Sequence, residues 1–122
     1  ITVKRIVDRY LEHGRVFIFN NNGNPEVCLG SADWMNRNIY RRIEVCFPIY
    51  DGRQRSELIK MIAVQWRDNL QAVTLDEQCQ NVSIDIDDAT EVVQSQKVIC
   101  DSLQHQALHT DTILTQTPVH TN

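Results

Sequence analysis

The chain has 122 residues, 42% of them hydrophobic and 23% charged, a balance that suits one globular domain and excludes a disordered or fibrous polymer. Its net charge of −4 hides an asymmetry: residues 1–69 hold eleven of the twelve Lys/Arg against eight acids, and residues 70–122 hold only Lys97 against eight. The first part can face a polyanion and the second is poorly suited to it. No apolar run approaches the ~18 residues of a membrane-spanning helix, so none is expected. The start, Ile1-Thr2-Val3-Lys4-Arg5, lacks the pattern of a secretion signal and an initiator Met, so the chain reads as a piece of something longer. Cys28, Cys46, Cys79 and Cys100 form no CxxC pair or zinc spacing. Cys28 and Cys46 sit in apolar runs where buried free thiols are common, and a reducing, cytoplasmic setting is expected.

Taken in order, Ile1–Val7 alternates like a strand and Asp8–Glu12 reads as a turn or short helix. Arg15–Phe19 is rich in strand formers, Asn20–Pro25 is dense in turn residues, and Glu26–Leu29 returns as a strand, so 15–29 is expected to be a hairpin. Gly30–Asn38 is polar with Trp34 and Met35 embedded, and these two are expected in the core. Arg42–Phe47 reads as a strand stopped by Pro48. Asp51-Gly52 opens a helix over 53–69, with Leu58, Ile59, Ile62, Ala63 and Trp66 at helical spacing. Beyond it, Val82–Asp87 alternates like a strand, Thr90–Leu108 suits a helix, and 109–122 is expected to be a flexible tail after a folded domain over 1–108. Strands interleaved with helices predict an α/β fold.

The chemistry concentrates in residues 12–44. His13 and Arg15, at the start of an expected strand, would project to the same side. An imidazole that can hold a proton and a guanidinium that can grip oxygens in a fork suit phosphoryl chemistry. Gly30 admits close backbone approach, and the hydroxyl of Ser31 is a small donor for an oxyanion or, alternatively, a loop hydroxyl serving the backbone.

His13-x-Arg15, Asn20 seven after the His, Gly30-Ser31-Ala32-Asp33 and a downstream Glu44 resemble a phospholipase D half-site, with Arg15 for its Lys, Asn20 for its Asp and Asp33 for its Asn. More narrowly, Leu11–Phe19, Leu29–Asn38, Arg42–Val45 and Pro48 resemble the last catalytic domain of bacterial polyphosphate kinase, over about Ile1–Ala72 and faintly around Ser95-Gln96. That resemblance implies a phospholipase-D-like mixed sheet flanked by helices. It also implies reversible transfer of the terminal phosphoryl group of ATP to inorganic polyphosphate through a phosphohistidine on the preceding domain.

It implies that His13 is the second catalytic His and that Glu44 orients the opposite domain's His. Arg15 and Arg42 would clamp phosphate oxygens and Ser31 would bind phosphate, while Asp33, Arg37 and Asn38 would support the loop. Asp33 would do so by bracing Arg37 or the loop backbone rather than by reacting, and other readings stay open for Arg15 (an ion pair with Glu12 or Asp33), Arg37 and Asn38 (substrate contact), Arg42 (a brace for Glu44) and Glu44 (a charge at a strand end). Mg²⁺ would arrive with ATP and be held partly by preceding domains, with no metal site built by this chain. The implied partners are ATP/ADP, polyphosphate, the preceding domains and, in the full-length form, further copies of the same chain, with no nucleic acid. The implied location is cytoplasmic, with peripheral membrane association left open.

Two rivals remain. A phospholipase-D-type phosphodiesterase half-site predicts Lys at position 15 and Asn at 33. A non-catalytic polyphosphate-binding module does not need His13. His105 and His109, four apart, read as surface histidines, and Asp85, Asp87, Asp88 and Glu91 as a solvated acidic face.

Overall fold

A computed structural model describes residues 1–87 and 90–115, with side chains through residue 106. By chain order it divides into two compact units, an insert formed by Tyr10–Ala63 and a frame formed by Ile1–Arg9 with the chain from Val64 onward.

The first strand, β1 (Lys4–Ile6), belongs to the frame. The insert opens with a hairpin: β2 (Val16–Phe19) and β3 (Glu26–Gly30) pair antiparallel from Val16↔Leu29 to Phe19↔Glu26. The Asn-rich turn closes it through a single 3-10 turn at Asn21–Gly23. Asn21, Asn22 and Gly23 take φ of 43°, 53° and 86°, the left-handed region that Asn and Gly tolerate best. α1 (Asn36–Arg41) follows, then β4 (Cys46–Pro48), which pairs antiparallel with β3 through Gly30↔Cys46 and Cys28↔Pro48 to give the sheet order β2-β3-β4. Pro48 is the last residue of β4, so the strand stops there as expected, and its pairing opposite Cys28 is tolerable because β4 is an edge strand. Val27, 1% exposed, is the buried centre of this unit. α2 (Gly52–Arg67) starts on a side-chain cap, with Asp51 Oδ1 accepting the Gln54 N–H at 2.8 Å.

The frame takes the other sheet: β1, β5 (Ala72–Leu75) and β6 (Asn81–Ser83), antiparallel in the order β1-β5-β6, with Ile6↔Ala72 and Leu75↔Asn81 setting the register. α3 runs from Ser95 to Thr115. The organising residue is Asp68, fully buried. Its Oδ1 accepts the N–H groups of Leu70, Gln71 and Ala72 at 3.2, 2.9 and 3.1 Å, and its Oδ2 that of Ser95 at 2.7 Å. One carboxylate thus fixes the chain after α2, the start of β5 and the first residue of α3. Burial alone would raise its pKa, but the donations from Ser95, Gln71 and Ala72 outweigh burial and lower it. Lys4 donates to the carbonyls of Trp66 and Asp68 at 2.6 and 2.7 Å, satisfying acceptors at the end of α2 where a cation is favoured.

The α/β expectation is met, with differences in detail. Among the described residues the strands form two small sheets, each antiparallel throughout, instead of one mixed sheet: short connections permit the β2–β3 and β5–β6 hairpins, and β1 pairs antiparallel with β5 across a long stretch of chain. Arg42–Val45 precede β4 instead of belonging to it, and β6 is confined to Asn81–Ser83. The last helix begins at Ser95, where Asp68 holds its first residue, not at Thr90, and it continues past His109 to Thr115. Residues 116–122, Asp88 and the side chain of His109 lie outside the described residues. Trp34 and Met35 are not core: Trp34 is 83% exposed and Met35 47%. Cys28, on the central strand β3, is half-buried, and Cys46 is exposed like the rest of edge strand β4; all four cysteines are free thiols.

Candidate functional site

Every site residue expected from the sequence lies in the insert. The end of β3 assembles them. At Gly30 an added Cβ would stand 2.9 Å from the Phe17 ring, so only glycine lets that ring cover the backbone. The Gly30 N–H bonds the Arg15 carbonyl and the Ser31 N–H the Val45 carbonyl, both at 2.9 Å. Three separate chain segments, at Arg15, Ser31 and Val45, are thereby tied side by side.

Two side-chain groups result. In the first, Arg15 Nε donates to Asp33 Oδ1 at 2.8 Å and Nη2 lies 2.6 Å from the same oxygen, while Nη1 donates to the His13 carbonyl at 3.1 Å. The pairing of Arg15 with Asp33 was one of the open alternatives; Asp33 is therefore spent on Arg15 rather than on Arg37. Three of the five guanidinium N–H groups are used, leaving two for another acceptor. His13 and Arg15 precede β2 and are not strand neighbours; His13 is exposed and is joined to Arg15 through its backbone carbonyl.

In the second group, Ser31 Oγ donates a short hydrogen bond to Glu44 Oε2, Asn38 Nδ2 donates to Glu44 Oε1 at 2.8 Å, and the Val45 N–H donates to Ser31 Oγ at 3.0 Å. The Glu44 pKa is lowered, first by the Ser31 donation, which burial partly opposes; the Asn38 amide and the Arg42 charge also lower it, and the Asp33 charge works against them. Ser31 therefore donates its hydroxyl to a carboxylate and accepts from the backbone at Val45, the latter matching the loop role left open for it beside phosphate binding. Arg42 acts on Glu44 through its charge, and Arg37 is exposed on α1.

Two clefts flank these groups. One, of about 260 Å³, is lined by Gly14, Arg15 and Asp33; the other, of about 330 Å³, by Phe19, Glu44, Val45 and Cys46; Phe17, Ala32 and Trp34 border both. Trp34 thus belongs to the rim of the site, a position its isolated apolar character did not disclose. Nor did local sequence disclose the link from Asn38 to Glu44.

The residues present do not fit a protein-built Mg²⁺ cage. Asp33 is paired with the Arg15 guanidinium, and among the described residues no group of three or more His, Cys, Asp or Glu could hold a metal ion. Among the described residues, no helix is long and apolar enough to cross a membrane.

A solved structure of polyphosphate kinase from Porphyromonas gingivalis superposes with a TM-score of 0.80 at 39% identity, over 86% of this chain and 16% of that one. In sequence, the polyphosphate kinase of Vibrio vulnificus (strain YJ016) is 37% identical over 110 residues, 90% of this chain and 16% of its own length. That of Escherichia coli (strain K12) is 47% identical over 76 residues, 62% of this chain and 11% of its own length. The chain therefore spans about one-sixth or less of these relatives. The family profile for polyphosphate kinase C-terminal domain 2 matches residues 1–96, and the chain belongs to that family.

Proposed function

We propose that this chain is one wall of a polyphosphate kinase active site, completed by preceding domains of the same polypeptide. The observation that carries the reading is Glu44. A carboxylate kept ionised and held by two side-chain donors beside an open cleft is fitted to accept a proton-bearing nitrogen from outside the chain. In the proposed reaction, one nitrogen of an imidazole on the preceding domain attacks the γ-phosphorus of ATP while the bond to the ADP oxygen breaks. Glu44 accepts the N–H of the other ring nitrogen. A terminal oxygen of polyphosphate then attacks the phosphohistidine, and the imidazole leaves.

The roles of the other residues follow from their exposure and charge. His13 is exposed, and its imidazole is suited to give a proton to the leaving oxygen or to stabilise the transferring group. The two unspent N–H groups of Arg15 and the exposed guanidinium of Arg42 suit equatorial phosphate oxygens, where charge gathers in a loose transition state. Mg²⁺ enters as part of the nucleotide substrate. The full-length protein is, in this reading, a cytoplasmic homo-oligomer.

In the full-length enzyme, His13→Ala should lower polyphosphate synthesis by roughly 10³-fold or more with folding intact. Label from γ-phosphate-labelled ATP should map to a histidine outside residues 1–122. Synthesis by this chain alone, or label on His13, would reverse the assignment.

A further inference from the structure

Glu44 is held from two directions, and the two holders differ. Ser31 lies at the end of β3 and is itself engaged by the Val45 N–H. Asn38 comes from α1, is 3% exposed, and spends its amide on Glu44 Oε1 while its own Oδ1 has no partner. A buried acceptor left without a donor is normally costly. Turning the amide over would not relieve it, because that would set one oxygen against another. The observed orientation accepts a local loss in order to give Glu44 a donor.

Each Glu44 oxygen therefore has one lone pair taken, which stops the carboxylate from rotating, and one lone pair left. α1 has no side-chain N-cap, and its amides at Asn38 and Ile39 are turned onto the Met35 carbonyl at 2.9 and 3.1 Å. Among the described contacts, Asn38 is thus the residue that couples this short helix to the carboxylate.

We propose that Asn38 is a positioning residue for phosphoryl transfer: its amide fixes the direction of the Glu44 carboxylate, so that Glu44 presents its free lone pairs to the imidazole of the adjoining domain. The inference rests on the reading of Glu44 given above and extends it to a residue that need not touch substrate. The charged groups that bear on Glu44 are Arg42, which favours its ionised form, and Asp33, which opposes it; Asp33 is itself neutralised by Arg15.

The test is the pH profile of polyphosphate synthesis by the full-length enzyme in its wild-type, Asn38→Asp, Ser31→Ala and Glu44→Gln forms, with folding of each checked by circular dichroism. Asn38→Asp is nearly isosteric and replaces a permanent donor by a titratable one. While the introduced carboxyl and Glu44 share one proton, the acid can donate to Glu44 as the amide does. Once both are ionised they repel, and the like charge raises the pH at which the first proton is held. Activity relative to wild type should therefore fall as pH rises, by about tenfold across the window in which the pair loses its shared proton. Ser31→Ala removes the main cause of the low Glu44 pKa, so its acid limb should move to higher pH.

A constant Asn38→Asp to wild-type ratio across pH, with Glu44→Gln inactive, overturns the positioning role and leaves the reading of Glu44 standing. Wild-type turnover by Glu44→Gln overturns that reading itself. If Asn38→Asp does not fold, Asn38→Ala decides: a folded variant whose rate and acid limb match wild type overturns the proposal.

Discussion

Each unit is organised by a carboxylate, and the two carboxylates are held in opposite ways. Asp68, in the frame, is fully buried and takes four backbone N–H groups from two stretches of chain, 70–72 and Ser95, with the Ser95 side chain as a further partner. Glu44, in the insert, is half-buried and takes two side-chain donors, Ser31 and Asn38. Asp68 is held chiefly by backbone donors, which mutation cannot exchange, with the Ser95 side chain beside them, and it is closed off from solvent, so its work is architectural. Side-chain donors can be tuned residue by residue, and they leave Glu44 with accepting capacity toward an open cleft. Both groups have lowered pKa values, so a shifted pKa alone does not separate a site from a scaffold; the type of donor and the unused capacity do.

The sharpest way to break this contrast is at Asp68. Asp68→Ala should destabilise the frame by about 3–5 kcal/mol, because the buried N–H groups of Ala72 and Ser95 lose this acceptor and the turn at Leu70 and Gln71 is loosened. The readouts are the denaturant midpoint and faster amide exchange at Gln71, Ala72 and Ser95. Its folded pKa is depressed, so its contribution is complete above the ordinary carboxylate range and is lost as pH falls through the folded value. The gap between wild type and Asp68→Asn should accordingly narrow in acid; a constant gap would mean that the charge is not what holds the frame.

A smaller loss is expected in the insert. Gly30→Ala should cost about 1–3 kcal/mol, since the new Cβ would press on the Phe17 ring and loosen the junction that aligns Arg15, Ser31 and Val45. The smallest stability effect belongs to Glu44→Gln, under about 1 kcal/mol by thermal unfolding. A loss there as large as that at Asp68 would erase the distinction between the two carboxylates.

What could be read from sequence follows the range of the interactions. The β2–β3 hairpin and α2 were legible because strand formers, an Asn-Gly turn, a capping Asp51 and helical spacing are local signals. β5 was not, since four residues of Ala72–Leu75 carry little pattern and their partner β1 lies at the other end of the chain. α1 was missed because Asn36–Arg41 has no apolar stripe and no capping side chain. The identities of the site residues were legible as a motif, but their partners were not. Ser31 looked like a donor for oxyanions and finds one thirteen residues away in Glu44. Trp34 and Met35 looked like core and are on the surface. No rule of local spacing announces that Asn38 would be buried with its amide on Glu44.

The division of the frame has a consequence for the order of events during synthesis. The chain leaves the frame after Arg9 and returns at Val64. β1 therefore emerges before the whole insert and waits for β5, an interval of several seconds at about 5–20 residues per second. The insert, whose strands pair only within Tyr10–Ala63, can close during that wait. The nascent frame meanwhile carries β1 with both edges unpaired, and its charged alternation, with Lys4 and Arg5 beside Ile6, is the kind of pattern that discourages a waiting strand from pairing with the wrong neighbour.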